Sequence, residues 1–485
     1  MNTPGVYIKE IPTFPPSVAA VETAIPAFVG ITQLTTDADG ASLIDVPKRI
    51  TSLLEYEQLF GPATPQSFSV AVEQDFSEVP LQIRETRITI NGTVPTQPTD
   101  ADLLYYAVQL FYDNGGGPCY IVSATAGNFI NAVDALEEFD EPTIIVSPGA
   151  VNEGNYTGIV DAALLQCNKL QDRVAIIDVP DGVPGGNTTV ADIDTNFRTP
   201  IISDLNMVKY GGAYYPYLVT AIPFLTDDSV ITVASHSITL YDTSDTDVTA
   251  TTTVPIPAAI PAGTALNDGP TNIPDNFNQV YTSIKVYLQQ YTVTLTPSAA
   301  IAGVYARVDN DRGVWKAPAN VSVLSVQRPA INVTNDLQDG LNVDPTSGKS
   351  VNVIRTFTGR GTLVWGARTL AGNDSEWKYM PVRRFFNFAE ESIKKATGRF
   401  VFEPNDKNTW TMVKTMIENF LLVQWRDGAL AGEKPEHAFY VKVGLNLTMT
   451  AADILNGVMN VEIGMAVVRP AEFIILKFSH KMQES

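Results

Sequence analysis

The sequence predicts a multidomain protein of mixed α/β and α+β class, on three observations. Between residues 119 and 178, short apolar β-rich runs alternate with helical patterns, the signature of an α/β layer with buried, largely parallel strands. The last quarter holds two long amphipathic helices followed by strand-like runs, an α+β arrangement. Each terminus carries a short apolar β-rich segment set off by proline. At 485 residues the chain exceeds what one core usually carries. The boundaries expected are an N-terminal linker arm 1–22, an α/β middle domain 23–352 with an outer β-rich insertion at about 226–300, an α+β C-terminal domain 353–470 and a C-terminal linker strand 471–485.

In chain order, Gly5 to Ile11 is a short alternating strand, and Pro12, Pro15 and Pro16 stiffen the spacer after it. Ala24 to Ile31 reads as a buried strand, and Ser52 to Phe60 as a helix stopped by Gly61-Pro62. Residues 86–100 read as polar loop. Asp102 to Asp113 sets Leu103, Leu104, Ala107, Leu110 and Phe111 on one helical face, and a strand begins at Cys119. Helices are expected over 129–138 and 156–169, and strands over 143–147 and 173–178. A further helix is expected over 195–209 and a strand over 217–221. From about 226 to 300 Asp, Thr and Ser dominate, and strands are expected over 230–240 and 284–296 within an exterior subdomain. Helices follow over 376–397 and 409–430, with Trp410, Val413, Ile417, Phe420 and Leu421 on one face of the second. The last strands are expected over 438–447, 458–468 and 472–479, with Pro470 breaking the final pair because it cannot donate to a ladder.

The two ends carry a functional reading. Termini fray unless tied down, and an unpaired apolar strand invites pairing with another chain. Val6, Tyr7 and Ile8 at one end and Phe473, Ile475 and Phe478 at the other therefore suggest a subunit that polymerises by donating strands to neighbours.

Net charge is −21 and unevenly spread. Residues 360–485 hold 16 Lys and Arg against 14 Asp and Glu, whereas the preceding 359 residues carry a net −23. This division gives an acidic outer body and a C-terminal domain able to face an acidic partner. Nucleic acid is not expected as a partner, because the total field repels it and no dense basic patch occurs. No apolar run approaches the roughly 18 residues that a spanning helix needs. Met1 to Gly5 lacks the basic and apolar regions of a signal peptide, so folding in the cytoplasm is expected.

Chemistry finds little support. Cys119 and Cys167 are too few for a disulfide framework or a thiolate metal site. His236, His437 and His480 are scattered, with no spacing suited to a metal or a relay. Asp344-Pro345-Thr346-Ser347-Gly348-Lys349-Ser350 ends like a phosphate loop, but the position needing glycine is Val343, and Pro345 removes an amide from the cradle. Gly359-Arg360-Gly361 opens like a dinucleotide loop, but Val364 stands where its third glycine belongs. No catalytic residue, metal or cofactor is expected, and an α/β enzyme is the weaker alternative.

Several blocks, in order from end to end, resemble the contractile tail sheath family of phage tails, bacteriocin particles and injection systems. They are Pro4 to Glu10, Ala27 to Gly30, Phe111 to Val122, Lys316 to Asn320, Val353 to Arg355, Gly361 to Leu370, Tyr379 to Arg384, Phe402 to Asn405, Thr409-Trp410 and Arg469 to Phe473. The resemblance implies a helical homopolymer wound around an inner tube, with subunits linked by terminal arms that add strands to a neighbour's C-terminal domain. It also implies contraction that drives the tube through a target membrane without the sheath entering that membrane. The partners it implies are other copies or paralogous sheath subunits, the inner tube protein, the baseplate and a terminator or cap. A non-contracting tail or surface-lattice subunit is the alternative. If the C-terminal domain faces the tube, Lys394, Lys395, Arg399, Lys407 and Lys414 are the expected contacts.

Overall fold

The computed structural model describes residues 18–251 and 254–476. Val6, Tyr7, Ile8 and Phe478 lie outside the described residues. Its frame is a nine-stranded sheet. Six neighbouring strands run parallel in the spatial order Val351–Phe357, Gly211–Tyr215, Val174–Asp178, Ile144–Val146, Pro26–Ile31 and Cys119–Ala124. Antiparallel strands close both sides: Lys48–Ile50 at one, Gly361–Val364 and then Val321–Ser322 at the other. The central strands read apolar without alternation because both faces are covered by helices, and Val174 to Asp178 are all buried.

The helix Ser298–Arg312, unassigned by the sequence pattern, crosses this core and is buried on almost every side from Ser298 to Tyr305. A helix apolar all round belongs inside, which is why no amphipathic period betrays it. It packs so closely on the helix Asp100–Asp113 that a Cβ at Gly303 would lie 2.5 Å from the Phe111 carbonyl oxygen. Its first turn is held by Asp178, which accepts from the Ser298 amide at 2.7 Å and its hydroxyl at 2.5 Å. Burial pushes this carboxyl up to about 7 against the opposing hydrogen bonds from Ser298.

The segment 226–300 departs from expectation. Its strand Ile231–Tyr241 pairs parallel with Phe68–Ser77, and with Gln82–Ile90 and Thr264–Ala265 it completes a four-stranded sheet. The lobe is thus built from two distant stretches, and residues 86–90, expected as loop, are strand. The strand expected over 284–296 is instead the helix Asn278–Leu288 followed by the strand Thr292–Leu295, and both join the main core. Val280, Ile284 and Leu288 recur every four residues and face inward, and this period overrides the β-rich composition. The helix expected over 195–209 breaks into short turns at Val190–Ile193, Asp194–Arg198 and Leu205–Val208.

Body and C-terminal core meet at a buried ion pair. Arg384, on the helix Met380–Thr397, reaches Asp309 on the 298–312 helix at 2.5 and 2.9 Å, with both side chains almost fully buried. The same groups grip the start of the chain: Thr23 donates its hydroxyl to Asp309 at 2.6 Å, and Arg384 donates to the Thr23 carbonyl at 2.9 Å. The Arg384 guanidinium also lies 4.4 Å over the Tyr305 ring.

Two predictions follow the packing. Ile284→Ala is expected to destabilise by about 2–5 kcal/mol and Val286→Ala by less than about 0.5 kcal/mol, since Ile284 is buried and Val286 is 62% exposed. On a strand the two side chains would share a face, so equal urea midpoints would refute the helical packing. Arg384→Met, which strands a buried carboxylate, is expected to cost about 3–5 kcal/mol by the same measurement, and pairing it with Asp309→Leu to recover much of the loss.

Candidate functional site

The C-terminal core is two helices against a hairpin. Pro381 sits in the first turn of the 380–397 helix, where its missing N–H costs nothing. Phe385, Phe388, Ala389 and Ile393 pack from it onto Val413, Ile417, Phe420 and Leu421 of the helix Lys407–Arg426. Asp406 caps that second helix, accepting from the amides of Asn408 at 2.9 Å and Thr409 at 3.0 Å. The loop between the helices is fixed by Asn405, which accepts from the Trp410 indole at 2.7 Å and donates to the Val458 carbonyl at 3.0 Å. From it Phe402 projects fully into solvent on a backbone with φ 72°, a left-handed conformation unusual for so bulky a residue.

The hairpin pairs Phe439–Val443 with Val461–Met465 antiparallel, from Phe439 opposite Met465 to Val443 opposite Val461. Its outer face is closed by side chains: Tyr440 lies over Gly464 and donates to Glu462 at 2.7 Å. Its inner face borders a groove of about 950 Å³ lined by Phe400, Val413, Ile417, Val461, Ile463 and Met465. Among the described residues this sheet has only two strands, so one ladder edge of each strand is unpaired by sheet. The outer lobe differs. Its edge strand Gln82–Ile90 carries Arg84, Glu85 and Arg87, and Arg87 pairs with Glu85 at 2.8 Å and Asp75 at 3.0 Å, charges that discourage strand addition.

Beyond the hairpin, Phe473, Ile474, Ile475 and Leu476 are 71–81% exposed and form no strand, so the strand expected from 472 is absent over its described part. Among the described residues this apolar segment has no ladder partner. The residue before it is fixed. Glu472 takes Arg368 side-on, Oε1 to Nε at 2.9 Å and Oε2 to Nη2 at 2.7 Å, and accepts from Tyr379 at 3.0 Å and Asn342 at 2.8 Å. Burial opposes the charge, but these donors hold the carboxyl below its ordinary value of 4.5. Sequence reasoning quoted both residues within blocks and gave neither a role; only the fold brings positions 368 and 472 together.

The basic residues do not act as one group. Lys395 turns into the seam, reaching Asp140 of the body at 2.8 Å and Glu391 at 3.4 Å. Burial would lower its ammonium, but these carboxylates hold it above the ordinary lysine value. Its side chain is nonetheless 44% exposed, as is that of Lys414. Lys394 is two-thirds exposed beside Glu391, Lys414 lies 3.7 Å from Glu418, and Lys407 opens its helix in solvent. Arg399 donates to the Ala396 carbonyl at 3.1 Å and lies over Phe400.

Of the histidines, His236 accepts from the Ile260 amide at Nδ1 (3.0 Å), which leaves Nε2–H to donate to Gln74 at 2.9 Å. Its pKa is lowered by burial. Lys349, in the loop that ends like a phosphate site, points inward to the carbonyls of Arg198 and Ile201. Among the described residues no group of three or more His, Cys, Asp or Glu is placed to hold a metal ion, and no helix is long and apolar enough to cross a membrane.

The C-terminal core thus carries an apolar groove and is followed by an exposed apolar segment. Residues 372–481 match the family model of the phage tail sheath C-terminal domain. The chain is 24% identical to the tail sheath protein of Burkholderia phage BcepMu over 422 residues, 75% of this chain and 87% of that one. It is similar throughout to the contracted helical sheath of the anti-feeding prophage, at 31% identity and a TM-score of 0.60 over 99% of this chain and 100% of that one. A chain of the contracted sheath complex of the PVC extracellular contractile injection system aligns at 29% identity and TM-score 0.64, over 99% and 98% of the two chains. The chain belongs to the contractile tail sheath family, and it is a structural subunit of a contractile sheath.

The Glu472 cluster carries a pH prediction. A carboxyl whose folded pKa lies below its unfolded value stabilises above the unfolded value and loses that contribution as pH falls through the folded one. The urea midpoint of the wild type should therefore exceed that of Glu472→Gln near neutrality, and the difference should close as pH falls below 4.5.

Proposed function

We propose that this chain polymerises helically around an inner tube and contracts to drive that tube through a target membrane, its subunits linked by strands exchanged through the terminal arms. The observation that carries this reading is the pairing of a deficit with a surplus. Among the described residues the hairpin 439–443/461–465 has no strand on either outer edge and borders an apolar groove, while Phe473 to Leu476 expose four consecutive apolar residues that pair in no ladder. Strand addition supplies main-chain hydrogen bonds along an edge and seats alternate side chains in the groove. Val6, Tyr7 and Ile8 at one end, and Phe473, Ile475 and Phe478 at the other, serve as the two donated strands for two edges. A head-to-tail contact that does not close on itself generates a helix rather than a ring.

In this reading 1–22 and 471–485 are the arms, 353–470 is the core facing the tube, and 23–352 is the outer body. The partners are further copies or paralogous sheath subunits, the inner tube, the baseplate and a cap. Assembly takes place in the bacterial cytoplasm and the product acts in a phage tail or a released particle. Contraction is a population shift between two packings of one linked mesh, so no nucleotide or metal is required. Lys394, Lys395, Arg399, Lys407 and Lys414 are the candidate tube contacts, with Lys395 already paired to Asp140 and Glu391 of its own chain. The exposed pair that Lys414 makes with Glu418 contributes only about 0–1 kcal/mol, so stability does not demand it.

Deleting 1–15, or 473–485, which spares Glu472, is expected to leave a folded monomer that forms no sheath by negative-stain microscopy; long sheaths from either truncation would sink the exchange. Reversing Lys394, Lys407 and Lys414 to Glu together is expected to give empty or already contracted sheath, partly mimicked by high salt. Extended, tube-filled particles at normal yield would place the tube contact elsewhere.

A further inference from the structure

We infer that Glu472 is the positioning residue of the C-terminal arm: by clamping the arm's root to the nine-stranded sheet and the segment 361–379 packed on it, here counted with the body, rather than to the two helices and hairpin of the C-terminal core, it makes the direction of the donated strand follow the body. This rests on the strand-donation reading above and names the device that aims the strand.

The path of the chain supports it. After the hairpin, the Val468 amide still donates to the Ala429 carbonyl of the core at 3.0 Å. The chain then crosses over. Arg469 donates to the Ser375 carbonyl at 2.8 Å, and Glu472 enters the cluster of Arg368, Tyr379 and Asn342. Arg368 is itself immobilised. Its side chain is 7% exposed, and its Nη1 donates to the carbonyls of Asn342 and Gly372. Its amide donates at 2.7 Å to Asn352, whose own amide group donates to the Ala213 carbonyl in the middle of the parallel sheet. A continuous chain of hydrogen bonds therefore runs from the central sheet to Glu472, and one residue later the side chains are in solvent.

A side-on guanidinium–carboxylate pair fixes direction as well as distance, which a single hydrogen bond does not. Four donors on one carboxylate exceed what a tether needs. They suit a fixed lever arm: turning the body re-aims the strand seated on the next subunit, and the pull of that strand is returned to the sheet.

The test uses the full-length chain. Spin labels at Ile474→Cys and Val286→Cys, both exposed positions, report the arm's direction from the body, and the native Cys119 and Cys167 are buried. The expected distance distribution is narrow. Glu472→Ala should broaden it and reduce the length of regular sheath by about tenfold, the scale of one lost charge-assisted contact of about 1.4 kcal/mol. Glu472→Gln should fall between. Inserting Gly-Gly after Glu472 leaves the clamp and the fold alone but frees the strand, so it carries the test even if Glu472→Ala does not fold. The insertion should abolish a single helical lattice. An unchanged distribution with Glu472→Ala, or a normal lattice with the insertion, overturns the inference. Sheath formation by the 473–485 deletion would instead overturn strand donation itself, so the two failures are distinguishable.

Discussion

A sheet of two strands is an unfinished structure. A lone hairpin is marginal in water because each strand has one row of backbone groups without a ladder partner. The C-terminal core is arranged around that deficit. Two helices back the hairpin, the groove beside it is apolar, and the outer face is closed by Tyr440 over Gly464 so that one face and the edges remain to be filled. The edge of the outer lobe shows the opposite treatment, with Arg84, Glu85 and Arg87 along it. The hairpin confines its charges, Lys442 and Glu462, to the outer face and keeps Val461, Ile463 and Met465 along the groove.

The rest of the molecule makes that open edge useful. A parallel sheet is covered on both faces, and it is joined to the core at the surface by Lys395 with Asp140 and, inside, by a buried and mutually satisfied pair, Arg384 with Asp309. Breaking such a pair leaves a charge stranded, so the seam resists opening even where the pair adds little net stability. Both chain ends are rooted at such groups. Thr23 is gripped by the seam pair itself, and Glu472 by Arg368.

The local pattern of the sequence was most legible where one period dominates. The helices near 102–113, 156–169, 376–397 and 409–430, and the strands near 119–122 and 173–178, lie close to where apolar spacing puts them. The failures have a common cause. Residues 284–288 are rich in β-formers, yet two deeply buried positions four apart decide for helix. The 298–312 helix shows no stripe because every residue from Ser298 to Tyr305 is buried, and the four-stranded lobe is hidden from local pattern because parallel pairing joins 231–241 to 68–77 across the sequence.

By itself the sequence determined the alternation of elements, the split of charge between body and C-terminal part, and the apolar strand-formers at both ends, because these are properties of neighbours along the chain. Only the tertiary structure decided which charges are spent internally and which face outward. Lys394 and Lys395 are adjacent and chemically equal, yet one stands mostly in solvent and the other closes a seam against Asp140, 255 positions away. Glu472 and Arg368 are likewise ordinary in sequence and meet only because the sheet carries Arg368 to the place where the chain leaves the core. A local period is set within a few residues, whereas the partner of a buried charge is chosen by the fold.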